Sequence, residues 1–187
     1  MIEIHTPRLL LREHVPEDLD DYHRILTDPE VMHWLEGLRS SGRDATRARL
    51  LADIEEQGDF AQTHWFFRIG DGSTGRYIGE IGFSKEDSTP GLTVDLGYFI
   101  LPAYWNRGIT TEAAAAVIRH AFEQVGVDTI TAGCFSANSG SERVMQKCGM
   151  KEDPARRHAG LLDGKESPRV GYRLDKSDWV SMQHSPE

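Results

Sequence analysis

The sequence predicts a mixed α/β domain with helices on both faces of a central sheet. Two observations carry this. Short apolar runs bounded by turn residues alternate with segments of helical period. Their order is a strand, two helices, three strands, a helix, a strand, a helix and closing strands. With 187 residues, the chain has enough length for one core and little for a second. A single domain over residues 1–187 is therefore expected.

Leu9-Leu10-Leu11-Arg12 reads as the first strand. Pro16 opens a helix where its missing N–H costs little, and Leu19, Tyr22 and Leu26 form the apolar face. Asp44–Gln57 is a second helix, with Leu50, Leu51 and Ile54 inward and Gly58 as its stop. Trp65–Ile69 and Tyr77–Phe83 flank Gly70-Asp71-Gly72-Ser73, a hairpin signal. Thr93–Leu101 is a third run, ended by Pro102. A helix over about Thr111–Val125 puts Ala114, Ile118, Ala121, Phe122 and Val125 on one stripe. Thr129–Phe135 is a strand, Ser139–Cys148 a helix, and Met150–Glu152 and Val170–Leu174 strands.

Composition excludes several classes. At 39% hydrophobic and 27% charged residues, the chain reads as soluble and globular. No apolar run approaches a membrane span. Met1-Ile2-Glu3-Ile4-His5 lacks the basic and apolar regions of a signal peptide. The two cysteines, Cys134 and Cys148, form no CxxC, so a cytoplasmic protein with reduced thiols is expected. The formal net charge of −9 argues against nucleic-acid binding. It is compatible with a cationic amine substrate, and equally with plain solubility. The eight histidines show no pair at ligand spacing, so no metal is expected. No GxGxxG follows an early strand, which sets aside a dinucleotide-binding fold.

The chemistry concentrates where a strand runs through Pro102-Ala103-Tyr104-Trp105-Asn106-Arg107-Gly108-Ile109-Thr110-Thr111-Glu112-Ala113 into a helix. First-turn N–H groups lack intrahelical partners, and the helix dipole is positive there, so a phosphate fits. Gly108 allows close backbone approach. Arg107 adds positive charge, and Thr110 and Thr111 can cap the helix or donate to phosphate oxygens. The same residues also suit an ordinary capped helix after a proline-containing loop.

From Leu96-Gly97-Tyr98-Phe99-Ile100-Leu101 through that loop to Ala113, the chain resembles the acetyl-CoA loop of the GNAT superfamily. The likeness is closest to the branch of ribosomal-protein N-terminal acetyltransferases. Three further segments match in order: Thr6–Arg12 its opening strand, Asp28-Pro29-Glu30-Val31-Met32 the end of its first helix, and Asn138–Met150 its last cofactor-side helix. The resemblance implies a mostly antiparallel central sheet and an acetyl-CoA cosubstrate without a metal. It places the pyrophosphate on the backbone of Asn106, Arg107, Gly108, Ile109, Thr110 and Thr111. The pantetheine arm would lie along the strand ending at Ile100-Leu101, with the thioester carbonyl on a backbone N–H near Phe99. Asn138 would bond the arm, and Ser141 would lie near the sulfur. Three positions depart from the family pattern: Trp105 where Gln or Arg is usual, Thr110 where Gly or Ala is usual, and Met145 where many members carry an acidic tyrosine. Met145 is expected in the core.

Acetyl transfer to an amine needs a neutral amine, a donor for the oxyanion and a proton for the thiolate. The resemblance implies direct attack on the thioester, so Cys134 is expected as a small core residue, not a nucleophile. Ser141 is the candidate acid, with a merely structural place beside CoA as its alternative. Glu80 and Asp95 are the candidate bases. Asp95, Gly97 and Phe99 share one side of their strand, and either carboxylate could instead form a cross-strand polar pair. The acceptor cleft is expected from His33–Ser41 and Arg156–Ser167, with Trp34, Glu36 and His158 as lining. The acceptor would be a small-molecule or peptide amine, with neither nucleic acid nor membrane as partner; a homodimer is compatible with this reading. A catalytically weak acetyl-CoA or CoA sensor module is the alternative function.

Overall fold

The computed structural model describes residues 1–184 except Phe60, Ser88 and Pro90, and leaves aside the side chain of Glu36. The described residues form one nine-stranded sheet, in the order β1-β2-β3-β4-β5-β6-β9-β7, with β8 paired to β9. The strands are β1 (Glu3–His5), β2 (Leu9–Glu13), β3 (His64–Asp71), β4 (Tyr77–Lys85), β5 (Thr93–Ile100), β6 (Thr129–Phe135), β7 (Lys151–Glu152), β8 (His158–Leu162) and β9 (Lys165–Asp175). Every pairing is antiparallel except β5 with β6. The mixed, mostly antiparallel sheet and its flanking helices match the expected fold class.

Alternation along the strands divides the sheet's two faces. One face buries Leu9, Leu11, Phe67, Ile69, Ile81, Phe83, Val94 and Leu96 against Ala113, Ala114, Val117 and Ile118 of α4 (Ile109–His120). The other is covered by α1 (Leu19–Thr27), α2 (Pro29–His33) and α3 (Arg43–Glu55), which bury Leu19, Tyr22, Ile25, Leu26, Val31, Met32 and Leu50 among themselves and Tyr77. Helices α5 (Ser139–Lys147) and α6 (Lys176–Gln183) complete the chain.

Several sequence boundaries are corrected. Pro16 opens a 3-10 turn, Pro16–Asp18, and α1 begins behind it. Asp28 ends the first helix as its C-cap, its N–H donating to Ile25 O, and Pro29–His33 then form a separate helix. Asp28 is extended, as a residue before proline tends to be, and its carboxylate accepts from Glu30 N at 2.9 Å and Val31 N at 3.1 Å, capping the separate α2. Leu51 points outward, 47% exposed. The long helix starts at Ile109 and widens into a π turn over Ala121–Val125, which buries Phe122 against Trp179. Arg156–Ser167 is not an open loop. Most of it is the β8–β9 hairpin, turning on Asp163 (φ 51) and Gly164 (φ 70). Both residues are left-handed, as a two-residue type I′ turn requires. The hairpin tip reaches α2, with Asp163 Oδ1 3.3 Å from His33 Nδ1.

Candidate active site

Strands β5 and β6 pair in register only at Thr93/Thr129, Val94/Ile130 and Asp95/Thr131. Both run on, to Ile100 and Phe135, and part as they go. Their facing edges therefore present backbone N–H and C=O groups to a cleft of about 1050 Å³. Such an edge accepts an extended amide-bearing chain as an added strand. One edge carbonyl is already used: Trp105 Nε1 donates to Ile100 O at 2.9 Å.

At the wide end, Gly108 caps α4 in the left-handed conformation, φ 71. No side chain caps this helix, so Thr110 and Thr111 leave its first-turn amides free of side-chain partners, and Gly108, Ile109, Thr110 and Thr111 all line the cleft. Asn106, also left-handed at φ 59, shapes the loop. The loop is anchored from β2: Arg8 Nη1 donates to Arg107 O at 3.0 Å, and Arg8 Nε meets Glu112 Oε2 at 2.6 Å. Arg107's side chain does not line the cleft; the cations that do so beside α4 are Arg143 and Lys147 of α5, which sequence reasoning missed. Their one-turn spacing on a helix following the Asn138 cap was the available signal. Amides, a helix N-terminus and two cations suit a pyrophosphate-bearing ligand with an amide-containing arm. A tryptophan at 108 is expected to weaken acetyl-CoA binding by about 100-fold or more, through the strained φ and lost phosphate contacts. Calorimetry on folded Gly108→Trp protein measures it, and unchanged affinity would sink the loop assignment.

Leu101 turns away from the cleft to pack with the α1–α3 layer. The other expected residues converge: Phe99, Ile100, Asn106, Gly108, Ile109, Thr110, Thr111, Asn138, Ser141, Glu80 and Asp95 all line the one cleft. Asn138 Oδ1 is spent capping α5, accepting from Ser141 N at 3.1 Å, which leaves its NH2 as the group able to donate to a ligand. Met145 is buried, as expected. Cys134 is also buried, and burial raises its pKa, so the thiol stays protonated. A phenol nevertheless reaches the site from another strand. Tyr98 Oη lies 3.0 Å from both Ser141 Oγ and Ser141 O. Burial pushes the Tyr98 pKa well up, so this pair is neutral.

The cleft floor is a row of paired residues. Gly82 faces Gly97, flanked by Glu80/Phe99 on one side and Ser84/Asp95 on the other. A side-chain carbon on Gly97 would meet nothing within 4 Å, whereas Gly82 is buried against Trp65 and Phe66, so the floor is bare at Gly97, between two carboxylates. They differ in their surroundings. Glu80 is buried, contacted by His14 Nε2 at 2.9 Å and by the Tyr77 hydroxyl. Burial opposes His14's charge, but Glu80 and Asp18 more than offset it and raise its pKa to about 10. Asp18 in turn binds Arg12 through two 2.7 Å bonds. Glu80 is thus one end of a buried ionic chain. Asp95 opens onto the cleft, and among the described residues its one hydrogen bond is from Thr131 Oγ1 at 3.3 Å. Its depth in the cleft, then the charge of Glu86, pushes its pKa up to about 6.

The acceptor wall takes Trp34, Leu35 and Leu38 from the expected His33–Ser41 segment, and adds Tyr22 of α1, Val31 of α2 and Arg49 and Asp53 of α3, facing Phe66 of β3. Trp34 is in place. His158 starts the β8 strand, exposed and away from the cleft, and the side chain of Glu36 lies outside the described residues. Among the described residues no cluster of three His, Cys, Asp or Glu is placed to hold a metal, and no helix is long and apolar enough to cross a membrane.

Comparison with known proteins agrees with this architecture. The spermidine N-acetyltransferase of Vibrio cholerae, solved with CoA and spermine, superposes with a TM-score of 0.81 over 94% of this chain and 99% of its own, at 14% identity. The ribosomal-protein-S5-alanine acetyltransferase of Vibrio fischeri gives 0.81 over 96% and 99%, at 16% identity. In sequence, the uncharacterized N-acetyltransferase YoaA of Bacillus subtilis is 26% identical over 154 residues, 80% of this chain and 83% of its own. The model of the acetyltransferase (GNAT) domain matches residues 8–151. The chain belongs to the GNAT family of N-acetyltransferases, enzymes that use acetyl-CoA.

Proposed function

We propose that the chain, as one domain over residues 1–187, moves an acetyl group from acetyl-CoA to a primary amine by direct attack on the thioester. The observation that carries this reading is the parting of β5 and β6 beside the bare floor at Gly97, with Asp95 at one end. The amine belongs to a protein N-terminus or a small molecule. Solved proteins of this fold named for spermidine and for a ribosomal protein support an amine acceptor. The four ordered segments support a place beside the ribosomal-protein branch, and the free thiols of Cys134 and Cys148 support a cytoplasmic setting, while fold alone leaves the acceptor open.

Acetyl-CoA supplies the activated acyl group. The chain's residues do the rest. The amides at the α4 N-terminus, with Arg143 and Lys147, hold the phosphates, and the Asn138 NH2 and the β5 edge at Tyr98 and Ile100 hold the arm; the backbone of Phe99, expected there, is turned to Glu80 of β4. Asp95, mostly ionised above its pKa of about 6, takes the proton that an ammonium must lose before it attacks. Glu80 is the weaker candidate, because its oxygens are already engaged by His14 and Tyr77. Ser141 Oγ, backed by Tyr98 Oη, holds a proton near the leaving sulfur. Ser141→Ala is expected to lower kcat by about 100-fold, the low end for a positioned proton donor, and to change acetyl-CoA affinity far less. Tyr98→Phe should act in the same direction. If only the binding constant moves, Ser141 is structural.

A further inference from the structure

We propose that the acceptor end of the cleft is built for a free α-amino acid with a large apolar side chain: Asp53 takes its ammonium and Arg49 its carboxylate. This rests on the acetyltransferase reading above and names the acceptor class. Arg49 and Asp53 lie one turn apart on α3, both half-buried and both lining the cleft. Residues so spaced are neighbours on a helix face, yet these two form no ion pair with each other. Among the described residues Arg49 makes no hydrogen bond or ion pair at all. Asp53 is met only by Tyr22 Oη, at a long 3.5 Å. Burial raises the Asp53 pKa, and the charges of His14, Arg49 and His64 counter it. His14 contacts Glu80 on one flank of the bare floor, and His64 pairs with Ser84 on the other. Asp53 lines the same cleft as that floor, where an acceptor nitrogen has to arrive.

Two opposite charges without a close partner, one helical turn apart, match the ammonium and carboxylate of one zwitterion. The remainder of the wall is apolar: Val31, Trp34, Leu35, Leu38, Phe66 and Phe99. A side chain such as that of leucine, methionine or phenylalanine would bury there. A polyamine would need further anions along its length, and this wall presents apolar groups instead. A peptide N-terminus shares the ammonium and side chain but offers Arg49 a neutral carbonyl, a weaker partner than a carboxylate.

The test measures kcat/KM by thiol release from acetyl-CoA for leucine, its decarboxylated counterpart isoamylamine, leucinamide and spermidine. Leucine is expected to exceed isoamylamine by about tenfold or more, the size of one charge-assisted bond. Arg49→Met should lower the leucine value about tenfold more than the isoamylamine value, and Arg49→Lys should restore part of that ratio. Equal losses on both substrates, a preference for leucinamide, or a preference for spermidine would each overturn the proposal; the last two would point to a peptide N-terminus and a polyamine. Thiol release with any of these other amines would leave the acetyltransferase reading standing. Tight acetyl-CoA binding with no release by any amine would sink both.

Discussion

Asp95→Asn is expected to lower kcat/KM by about 10²–10⁴-fold, the usual contribution of a positioned general base, with acetyl-CoA affinity nearly unchanged. The asparagine keeps the shape and can still accept from Thr131 Oγ1, so the loss reports the proton, not the packing. The pH profile gives the sign. A base works deprotonated, so wild-type kcat/KM should fall as pH drops through about 6, where its depth in the cleft and the charge of Glu86 place this carboxyl. The variant should lose that limb and keep the alkaline rise that comes from the amine itself. If the acid limb survives in Asp95→Asn and disappears in Glu80→Gln, the base is Glu80.

His14→Ala is expected to destabilise the fold by about 3–5 kcal/mol, the cost of breaking a buried ion pair and leaving one charge uncompensated. His14 is 1% exposed and Glu80 is also 1% exposed. Removing the imidazolium leaves Glu80 with the Tyr77 hydroxyl alone and takes a partner from Asp18. Urea denaturation measures the loss. The wild type should also show a pH signature. The folded-state pKa of His14 is raised from 6.5 to about 10, so its stabilisation is complete below pH 6.5 and drains away as pH rises toward 10. His14→Gln keeps a hydrogen-bond donor without the charge, so it should be less damaged than His14→Ala and should lack that alkaline slope. A variant as stable as wild type at pH 6 would mean the pair contributes nothing net.

Local signals in the sequence were legible where one element decides its own form. The β6 strand falls where its β-branched run placed it, and the stripe of Ala114, Ile118, Ala121 and Phe122 is buried. Two local signals were available and unused. Asp163-Gly164 between extended residues is a hairpin turn, and Asp28-Pro29 is a cap followed by a first-turn proline, which starts a new helix where the first one ends. What the sequence hid is what distant segments do together. His14 follows the second strand and Glu80 lies on the fourth, and only register brings them to 2.9 Å. That contact demotes a carboxylate that reads as a base. Tyr98 alternates away from the cleft face of β5, and its phenol rejoins the site only because α5 packs behind that strand and brings Ser141 to 3.0 Å. The loop beside α4 named its ligand class, but the cations facing the cleft there, Arg143 and Lys147, come from a different helix.

The most direct test of the account is a product balance. The protein is mixed with acetyl-CoA, with and without an amine that it accepts. Free thiol is read with a thiol reagent, and acetylated amine and protein are read by mass spectrometry. Direct transfer within the β5–β6 cleft predicts thiol and acetylated amine in equal amounts, no thiol burst without amine, and no acetylated protein. A burst with an acetyl group left on the chain, or acetyl-CoA bound tightly with no amine-dependent release, would contradict it.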